Sequence, residues 1–131
     1  MTAASVRING YAKRHHARIL FKFEEVSAEQ LGRPLRMPGL CDLIVASDRT
    51  LRSYCAEFLG MSPMRYVLLR RLKEVRRALR DGHPDKVKVA EVAVLFGFTQ
   101  LGRFAGTYRA TFGEAPSTTL QRIPGRDSPA S

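Results

Sequence analysis

Arginine is the residue type with the most evident chemistry in this chain, and it recurs in three segments. Arg49 and Arg52 lie in one segment, Arg103 in another, and six arginines with one lysine crowd the range 65–80. A guanidinium group can donate two parallel hydrogen bonds to guanine, and a glutamine such as Gln100 can pair with adenine in the same way. Basic side chains also bind phosphate, so these residue types point towards a nucleic acid ligand.

The overall charge agrees with a polyanionic partner. The 131 residues include 22 Lys and Arg against 12 Asp and Glu, which gives a net charge of +10. Such a balance is typical of proteins that bind nucleic acid or an anionic membrane surface. No stretch approaches the roughly 18 apolar residues of a membrane span, and the first residues lack the apolar core of a signal peptide. We therefore expect a cytoplasmic, nucleoid-associated protein with no membrane partner.

Other site chemistries find little support in the sequence. Cys41 and Cys55 both lie in helical patterns and are expected to be small buried thiols in a reducing cytosol. His15, His16 and His83 have no Cys or acidic companions at metal-ligand spacing, so they are expected at the surface. The serines have no histidine placed to activate them. We expect no catalytic residue, no metal and no cofactor, and so not an enzyme.

The spacing of hydrophobic residues, together with Gly and Pro residues that end or begin helices, predicts an all-α chain of about seven helices. Residues 1–17 are polar and unpatterned and are expected to form a flexible lead or linker, and residues 123–131 a disordered tail. The expected helices cover 18–31, a short segment ending near 45, 47–60, 63–80, 89–96, a segment ending at 112, and 116–122. Ser47 is expected to cap the third helix, because its hydroxyl can accept a free N–H of the first turn. Gly60 and Gly113 are expected to end the third and sixth helices, and Pro63 and Pro116 to open the fourth and seventh.

The segment 63–80 gives the clearest helical pattern. Five apolar residues form one stripe along it: Met64, Leu68, Leu72, Val75 and Leu79. We expect this stripe to contact the elements on both sides of the helix in sequence, while all the arginines of the segment remain at the surface.

The two halves of the chain match at an offset of 53 residues. The matched pairs are Leu51 and Phe104, Cys55 and Tyr108, Leu59 and Phe112, Gly60 and Gly113, and Pro63 and Pro116. This pattern predicts two helix-turn-helix units, at about 39–60 and 88–113, joined by a linker helix at 63–80. A helix of about 18 residues spans roughly 27 Å, and major grooves on one side of DNA recur about every 34 Å, so such a linker could hold two DNA-reading helices near one turn apart.

The motifs within these units resemble a known family. The run Ser47-Asp-Arg-Thr-Leu followed by Phe58-Leu-Gly-Met-Ser-Pro-Met-Arg-Tyr is similar to the first unit of the AraC/XylS regulators. Gly97-Phe, Leu101-Gly-Arg-Phe and Phe112-Gly-Glu-Ala-Pro are similar to its second unit. The resemblance covers 18–122. It implies a homeodomain-like domain of seven helices that regulates transcription, with the third and sixth helices in adjacent major grooves of double-stranded DNA.

The resemblance also implies roles for individual residues. Base-contact positions of the family fall on Arg49, Arg52, Ser53, Gln100, Gly102, Arg103 and Gly106. Because glycine has no side chain to offer, readout by the second unit is expected to depend on Gln100 and Arg103. Thr50, Arg65 and Arg109 are expected to contact phosphates, which positions a protein without specifying sequence. An activator of this family is expected to have RNA polymerase as a further partner.

Three residues depart from the family pattern. Val45 stands where a turn glycine is usual, and a β-branched residue is poorly suited to positive φ. Lys88 and Ala115 stand where small polar helix caps are usual, and an alanine cap loses about 1 kcal/mol. The effector-binding or dimerisation domain that most members carry is expected to be absent from these residues, so the chain is either a fragment or a stand-alone regulator.

Two further functions remain open at this point. A basic amphipathic helix such as 63–80 could by itself bind RNA or an anionic membrane without specificity. Competition distinguishes that protein from a specific DNA binder, which prefers its site over bulk DNA by about 10³-fold or more. The chain could also be the DNA-binding part of an enzyme whose catalytic domain lies elsewhere.

Overall fold

The computed structural model describes the backbone of residues 3–122 and the side chains of residues 14–122. Over this range it contains helices and no strand. The seven helices are α1 (Ala3–Glu29), α2 (Met37–Ile44), α3 (Asp48–Leu59), α4 (Pro63–Asp81), α5 (Val89–Leu95), α6 (Leu101–Phe112) and α7 (Pro116–Gln121). None of the helices in this part of the chain is both long and apolar enough to span a membrane. The expected tail at 123–131 lies outside the described residues.

Helix α1 begins much earlier than the sequence pattern suggested. It starts at Ala3, so the expected flexible lead over 1–17 is wrong from residue 3 onward. The absence of an apolar period had suggested irregular structure. However, residues 3–17 contain four alanines, one glycine and no proline, and this composition favours a helix even without an apolar face.

The chain divides into two compact units, each with its own core. Unit 1 comprises the described residues up to Gln30 together with Pro34–Val67. Its buried apolar residues come from α1 to α4: Ile19, Phe23, Val26, Met37, Leu40, Ile44, Leu51, Cys55 and Val67. Inside α1, the buried Ser27 hydroxyl donates to the carbonyl oxygen of Phe23 at 2.7 Å, so its burial leaves no unsatisfied donor.

Unit 2 comprises Leu31–Arg33 and the described residues from Leu68 onward. Its buried apolar residues come from α4 to α7: Leu72, Val75, Leu79, Val92, Ala93, Phe104, Tyr108 and Leu120. The expected stripe on α4 is confirmed for Leu72, Val75 and Leu79, which are fully buried, while Leu68 is half-buried beside them.

One arginine of α4 does not remain at the surface. Arg71 is only 8% exposed, and its Nη2 donates a hydrogen bond to the carbonyl oxygen of Arg33. Desolvation by burial lowers the pKa of this guanidinium below its ordinary value. The expectation that all the α4 arginines face solvent is therefore wrong for Arg71, whose backbone acceptor lies 38 residues away in sequence.

The internal repeat is confirmed by burial and by backbone conformation. Leu51 and Phe104 are both buried, each in the core of its own unit, as are Cys55 and Tyr108. Gly60 and Gly113 both end their helices in the left-handed region, with φ of 72° and 78°. Pro63 and Pro116 are both buried and both open the following helix. Proline suits that position because its missing N–H would have no partner in the first turn.

The turn before α3 holds a residue in an unfavourable conformation. Val45 ends α2 with φ 61° and ψ 53°, and it is the one non-glycine residue of the described chain with positive φ. The equivalent turn of unit 2 has Gly97 at φ 91°. A residue with a Cβ loses roughly 1–2 kcal/mol in the left-handed region. Since Val45 is 85% exposed, its side chain gains little packing in return.

We therefore expect Val45→Gly to stabilise the protein by about 1 kcal/mol, because glycine adopts the left-handed conformation without strain. Part of this gain is offset, since glycine also increases the conformational entropy of the unfolded chain. The measurement is the midpoint of chemical denaturation. Val94→Gly is the matched control, since Val94 is an equally apolar, exposed residue inside α5. That variant should instead be destabilised by about 0.5–1 kcal/mol. Destabilisation by both changes would contradict the presence of strain at Val45.

Candidate nucleic-acid interface

Helix α3 is fixed at its start by a side-chain cap. The Ser47 hydroxyl oxygen accepts a hydrogen bond from the Thr50 backbone N–H at 3.1 Å, and the same hydroxyl donates to Thr50 Oγ1 at 2.8 Å. The cap expected at Ser47 is thus confirmed, and it satisfies one of the unpaired donors of the first turn. At the other end, Gly60 stops the helix, so the length of α3 is set on both sides by its own sequence.

The predicted base-contact residues of unit 1 share one face of α3. Arg49, Arg52 and Ser53 follow i, i+3, i+4 spacing, and all three are exposed. The face lies away from Leu51 and Cys55, which enter the core. Two cationic donors and a hydroxyl therefore project from the same side of the helix, where a ligand could reach them together.

Arg52 already has a partner on this face. Its Nε donates to Asp48 Oδ1 at 2.5 Å, and both side chains are more than half exposed. An exposed i, i+4 pair stabilises a helix by only about 0.3–0.5 kcal/mol, so the pair is weak enough to exchange for a stronger acceptor. Its main effect is to orient the Arg52 guanidinium towards the start of α3.

The two phosphate candidates of unit 1 lie elsewhere than this face. Thr50 is half-buried, and its hydroxyl oxygen accepts from Ser47 within the cap. Arg65 lies in the first turn of α4, where its backbone N–H donates to Ser62 Oγ at 3.2 Å and its side chain is exposed. Both residues thus lie near helix N-termini, which favour anions through their free N–H groups and their dipole.

An aromatic cluster that sequence reasoning missed supports the opposite side of α3. His15 and His16 were expected at the surface, but both are half-buried. The His16 ring lies 3.9 Å from the Tyr54 ring and 5.1 Å from the Phe58 ring, measured between centroids. The expectation is wrong because helix α1 extends back past these histidines and brings them against α3.

Helix α6 presents its polar residues from its first turn. Gln100 occupies the N-cap position without a side-chain capping bond, and Arg103 is exposed one turn later. Both line the same open cleft of unit 2, together with Thr99 and Thr107. The structure thus brings the two base-contact candidates of this unit to one place.

Between its basic residues, α6 exposes bare backbone. A Cβ added at Gly102 or at Gly106 would meet no atom within 4 Å, so no packing contact within the protein requires glycine there. Arg103 lies on one flank of this face and the exposed Arg109 on the other. A flat surface between two guanidinium groups could approach a ligand more closely than the side-chain-bearing face of α3.

The recognition candidates of the two units are not equivalent by position. At the 53-residue offset, Arg49 and Ser53 correspond to Gly102 and Gly106, while Arg103 corresponds to Thr50. The two units therefore share a scaffold but carry different donors at matching places. Two recognition helices that bind different base sequences would need different side-chain donors in this way.

A buried hydrogen-bond chain, not foreseen from the sequence, joins α6 to α7. The Tyr108 hydroxyl donates to Thr119 Oγ1 at 2.7 Å, and the Thr119 hydroxyl donates to Glu114 Oε2 at 2.7 Å. Arg122 Nη1 completes the chain at 2.9 Å from Glu114 Oε1. Burial raises the pKa of Tyr108, so this phenol stays protonated and remains a donor. The chain secures α7 even though Ala115 gives it no side-chain cap, as expected.

Known proteins resemble this chain in sequence. A family model described as a helix-turn-helix domain matches residues 40–122. The XylDLEGF operon transcriptional activator 2 of Pseudomonas putida is 39% identical over 92 residues, which are 70% of this chain and 59% of that protein. The XylDLEGF operon transcriptional activator of the same organism is 36% identical over 94 residues, or 72% of this chain. The chain spans only 29% of the length of that second relative.

A solved structure agrees with these relatives. The crystal structure of a probable AraC family transcriptional regulator from Rhodopseudomonas palustris CGA009 matches with a TM-score of 0.70 and 35% identity. The match covers 79% of this chain and 95% of that one. The likeness therefore extends over nearly the whole of the solved chain, at an identity that indicates more than a shared fold.

Proposed function

Because this chain belongs to the AraC/XylS family of DNA-binding transcription regulators, we propose that it reads one specific sequence of double-stranded DNA with two recognition helices. In this proposal α3 and α6 enter successive major grooves. The family is one of transcription regulators and not of enzymes, and the relatives described above are transcriptional activators.

The main support for the proposal is that the two units repeat the same buried scaffold but differ in the exposed residues of α3 and α6. The buried pairs and the left-handed stops recur at the 53-residue offset, whereas the exposed positions of α3 and α6 do not repeat. Exposed positions tolerate substitution at little cost in stability, and here both faces carry exposed side chains that can hydrogen-bond to bases. Two readers of different half-sites would differ there, since each base pair presents its own donors and acceptors.

The proposed contacts divide into two classes. Base edges would be read by Arg49, Arg52 and Ser53 in the first groove and by Gln100 and Arg103 in the second. Phosphates would be held by Thr50, Arg65 and Arg109. The exposure of the arginines in both classes supports the assignment, and the weak Asp48 pair leaves Arg52 able to turn to a base.

Arg103→Ala is the most direct test of the division between base contacts and phosphate contacts. We expect a loss of about 1–3 kcal/mol in binding to the duplex that the wild-type chain selects from a random library (the selected duplex), with relaxed preference at one or two base positions. Arg109→Ala is the comparison variant, because a phosphate contact is lost equally on every sequence. The measurement is affinity for selected and scrambled duplexes. Equal losses on both duplexes for Arg103→Ala would make it a phosphate contact instead.

The experiment that tests the function as a whole is selection from a random duplex library. We expect the full chain to enrich two half-sites about one helical turn apart, and to prefer them over bulk DNA by about 10³-fold or more. RNA and anionic vesicles serve as competitors in the same assay. If they compete as well as the selected duplex, the chain is a nonspecific basic protein and the proposal fails.

We also propose bounds for the DNA-binding domain and a further partner. The domain would extend over 18–122, supported by the contribution of Ile19 and Phe23 to the core of unit 1. Limited proteolysis of the DNA-bound chain should leave a protected fragment that includes both residues, and a fragment starting after Phe23 would contradict these bounds.

RNA polymerase is the proposed partner in activation. Transcription in vitro from a promoter carrying the selected site should rise when the chain is added, and no rise would argue against that partner.

A further inference from the structure

The three residues Leu31–Arg33, which connect α1 to α2, belong to unit 2, although the residues on both sides of them belong to unit 1. We refer to Leu31–Arg33 as the connector. In unit 2 it lies against Leu95 at the end of α5 and against Gly97, which belongs to the turn (residues 96–100) that leads into α6. A segment that lies in sequence between two helices of unit 1 is therefore part of the surroundings of α6.

Arg71 joins the connector to this turn. Its Nη2 donates to the carbonyl oxygen of Arg33, while Nη1 lies 2.7 Å from the position that a Cβ on Gly97 would take. The planar guanidinium thus touches the connector with one nitrogen and lies against the turn with the other. Arginine suits such a place because its donors form a rigid planar fork, so one nitrogen can donate to the connector while another packs against the turn.

The two backbones approach each other closely at two glycines, and at Gly32 no Cβ fits unless the backbone moves. A Cβ on Gly32 of the connector would lie 2.9 Å from the carbonyl oxygen of Leu95, at the end of α5. A Cβ on Gly97 would lie 3.4 Å from the carbonyl oxygen of Leu31, and Gly97 also needs its positive φ. Because the neighbour of Gly32 is backbone, a side chain there requires the α5–α6 turn or the connector to move.

We propose that Arg71 is a positioning residue for the second recognition helix, and that the connector it holds is part of the machinery of second half-site readout. Gln100 and Arg103 follow Gly97 by three and six residues, so the direction of the turn sets where both side chains point. This inference rests on the proposed function, in which these two residues read bases. It predicts that a change between α1 and α2 acts on the half-site read by α6 and not on the half-site read by α3.

The matched pair of variants is Gly32→Ala and Gly39→Ala. Both add one methyl group at neighbouring places in the sequence, but a Cβ on Gly39 meets nothing within 4 Å. The probes are the duplex selected by the wild-type chain and two derivatives, each with one half-site scrambled. The position that relaxes in Arg103→Ala identifies the half-site that α6 reads.

We expect Gly32→Ala to lose affinity for the selected duplex by about 5- to 150-fold, the equivalent of one lost bidentate base contact, and Gly39→Ala to bind like the wild type. On the duplex whose α6 half-site is scrambled, Gly32→Ala and the wild type should bind alike. Arg71→Lys should behave as Gly32→Ala does, because it keeps the charge and loses the fork, while Arg70→Ala beside it should leave the preference between the two half-sites unchanged.

Three results would overturn the inference: no loss in Gly32→Ala, an equal loss on all three duplexes, or a loss confined to the α3 half-site. Amide hydrogen exchange of residues 97–100 gives a readout that does not depend on DNA. Exchange there should accelerate in Gly32→Ala and Arg71→Lys but not in Gly39→Ala, and unchanged exchange in the first two would also overturn it. If wild-type selection yields no paired half-sites, the proposed function fails, while the exchange result still decides whether Arg71 positions the turn.

Discussion

Leu72→Ala is expected to lower the free energy of unfolding by about 2–5 kcal/mol, because it removes a fully buried side chain and leaves a cavity. Leu72 lies in the part of α4 that contributes to the core of unit 2, beside Val75 and Leu79. A domain of this size has about 5–15 kcal/mol of stability in total, so the variant would lose a large part of it. Thermal and urea denaturation measure the loss.

Leu95→Ala is the control for this prediction. It makes the same change on α5 at a side chain that is 66% exposed, so we expect a change within about 0.5 kcal/mol. Similar losses in both variants would mean that burial does not explain the effect of Leu72. Wild-type stability in Leu72→Ala would contradict the core assigned to unit 2.

Raising the salt concentration from about 50 to 200 mM should weaken DNA binding steeply, by about 10³-fold if basic residues beyond the proposed Arg65 and Arg109 bring the number of neutralised phosphates to six. The reason is the release of counterions when Lys and Arg neutralise phosphates, and the net charge of +10 supplies the basic groups. The measurement is the slope of the logarithm of affinity against the logarithm of salt concentration on the selected duplex.

Single variants make the salt experiment sharper. Arg109→Ala should reduce the slope by about one unit, as removal of one phosphate contact does. Lys22→Ala is the control, because Lys22 lies on the exposed side of α1 and pairs with Glu25 at 3.0 Å. A slope near zero for the wild type, or equal slopes for Arg109→Ala and the wild type, would contradict the proposed phosphate contacts.

Most helix boundaries were predictable because local residues set them. Ser47 caps α3, Gly60 and Gly113 stop α3 and α6, and Pro63 and Pro116 open α4 and α7, all as expected from the sequence. Each of these residues acts on the backbone within one turn of itself. A prediction from the sequence alone can therefore reach them, and the repeat of the same signals at one offset makes it more secure.

The features that were missed depend on contacts between distant residues. The burial of Arg71 follows from an acceptor 38 residues away, and no local pattern distinguishes it from its arginine neighbours on α4. His16 is half-buried because Tyr54 and Phe58 of α3 lie against it. The early start of α1 was missed for a different reason, since apolar periodicity does not reveal a helical segment rich in alanine whose few larger apolar residues lack helical spacing.

For the candidate site, the exposure of individual residues was predictable from the sequence, whereas most of their hydrogen-bond and ion-pair partners were not. Exposure of Arg52 and Arg103 follows from their places next to buried Leu51 and Phe104, and Arg49 is exposed on the same face as Arg52. The pair of Arg52 with Asp48 has the i, i+4 spacing of helical ion pairs, so the sequence does contain a signal for this contact. The Tyr108–Thr119–Glu114 chain gave no such signal, because it needs the packing of α7 on α6.

The connector has a consequence for the order in which this protein folds. Both cores are built mainly from neighbouring helices, whose contacts close short loops and form quickly. The hydrogen bond from Arg71 to Arg33 closes a loop of 38 residues and gains little until α5 and the following turn exist. We therefore expect the connector to dock last, with φ-values near zero for Gly32→Ala, whereas Leu72→Ala should give a clearly higher value. Comparable φ-values would place docking in the folding transition state. If docking is late, the start of α6 acquires its final direction only after both hydrophobic cores have condensed.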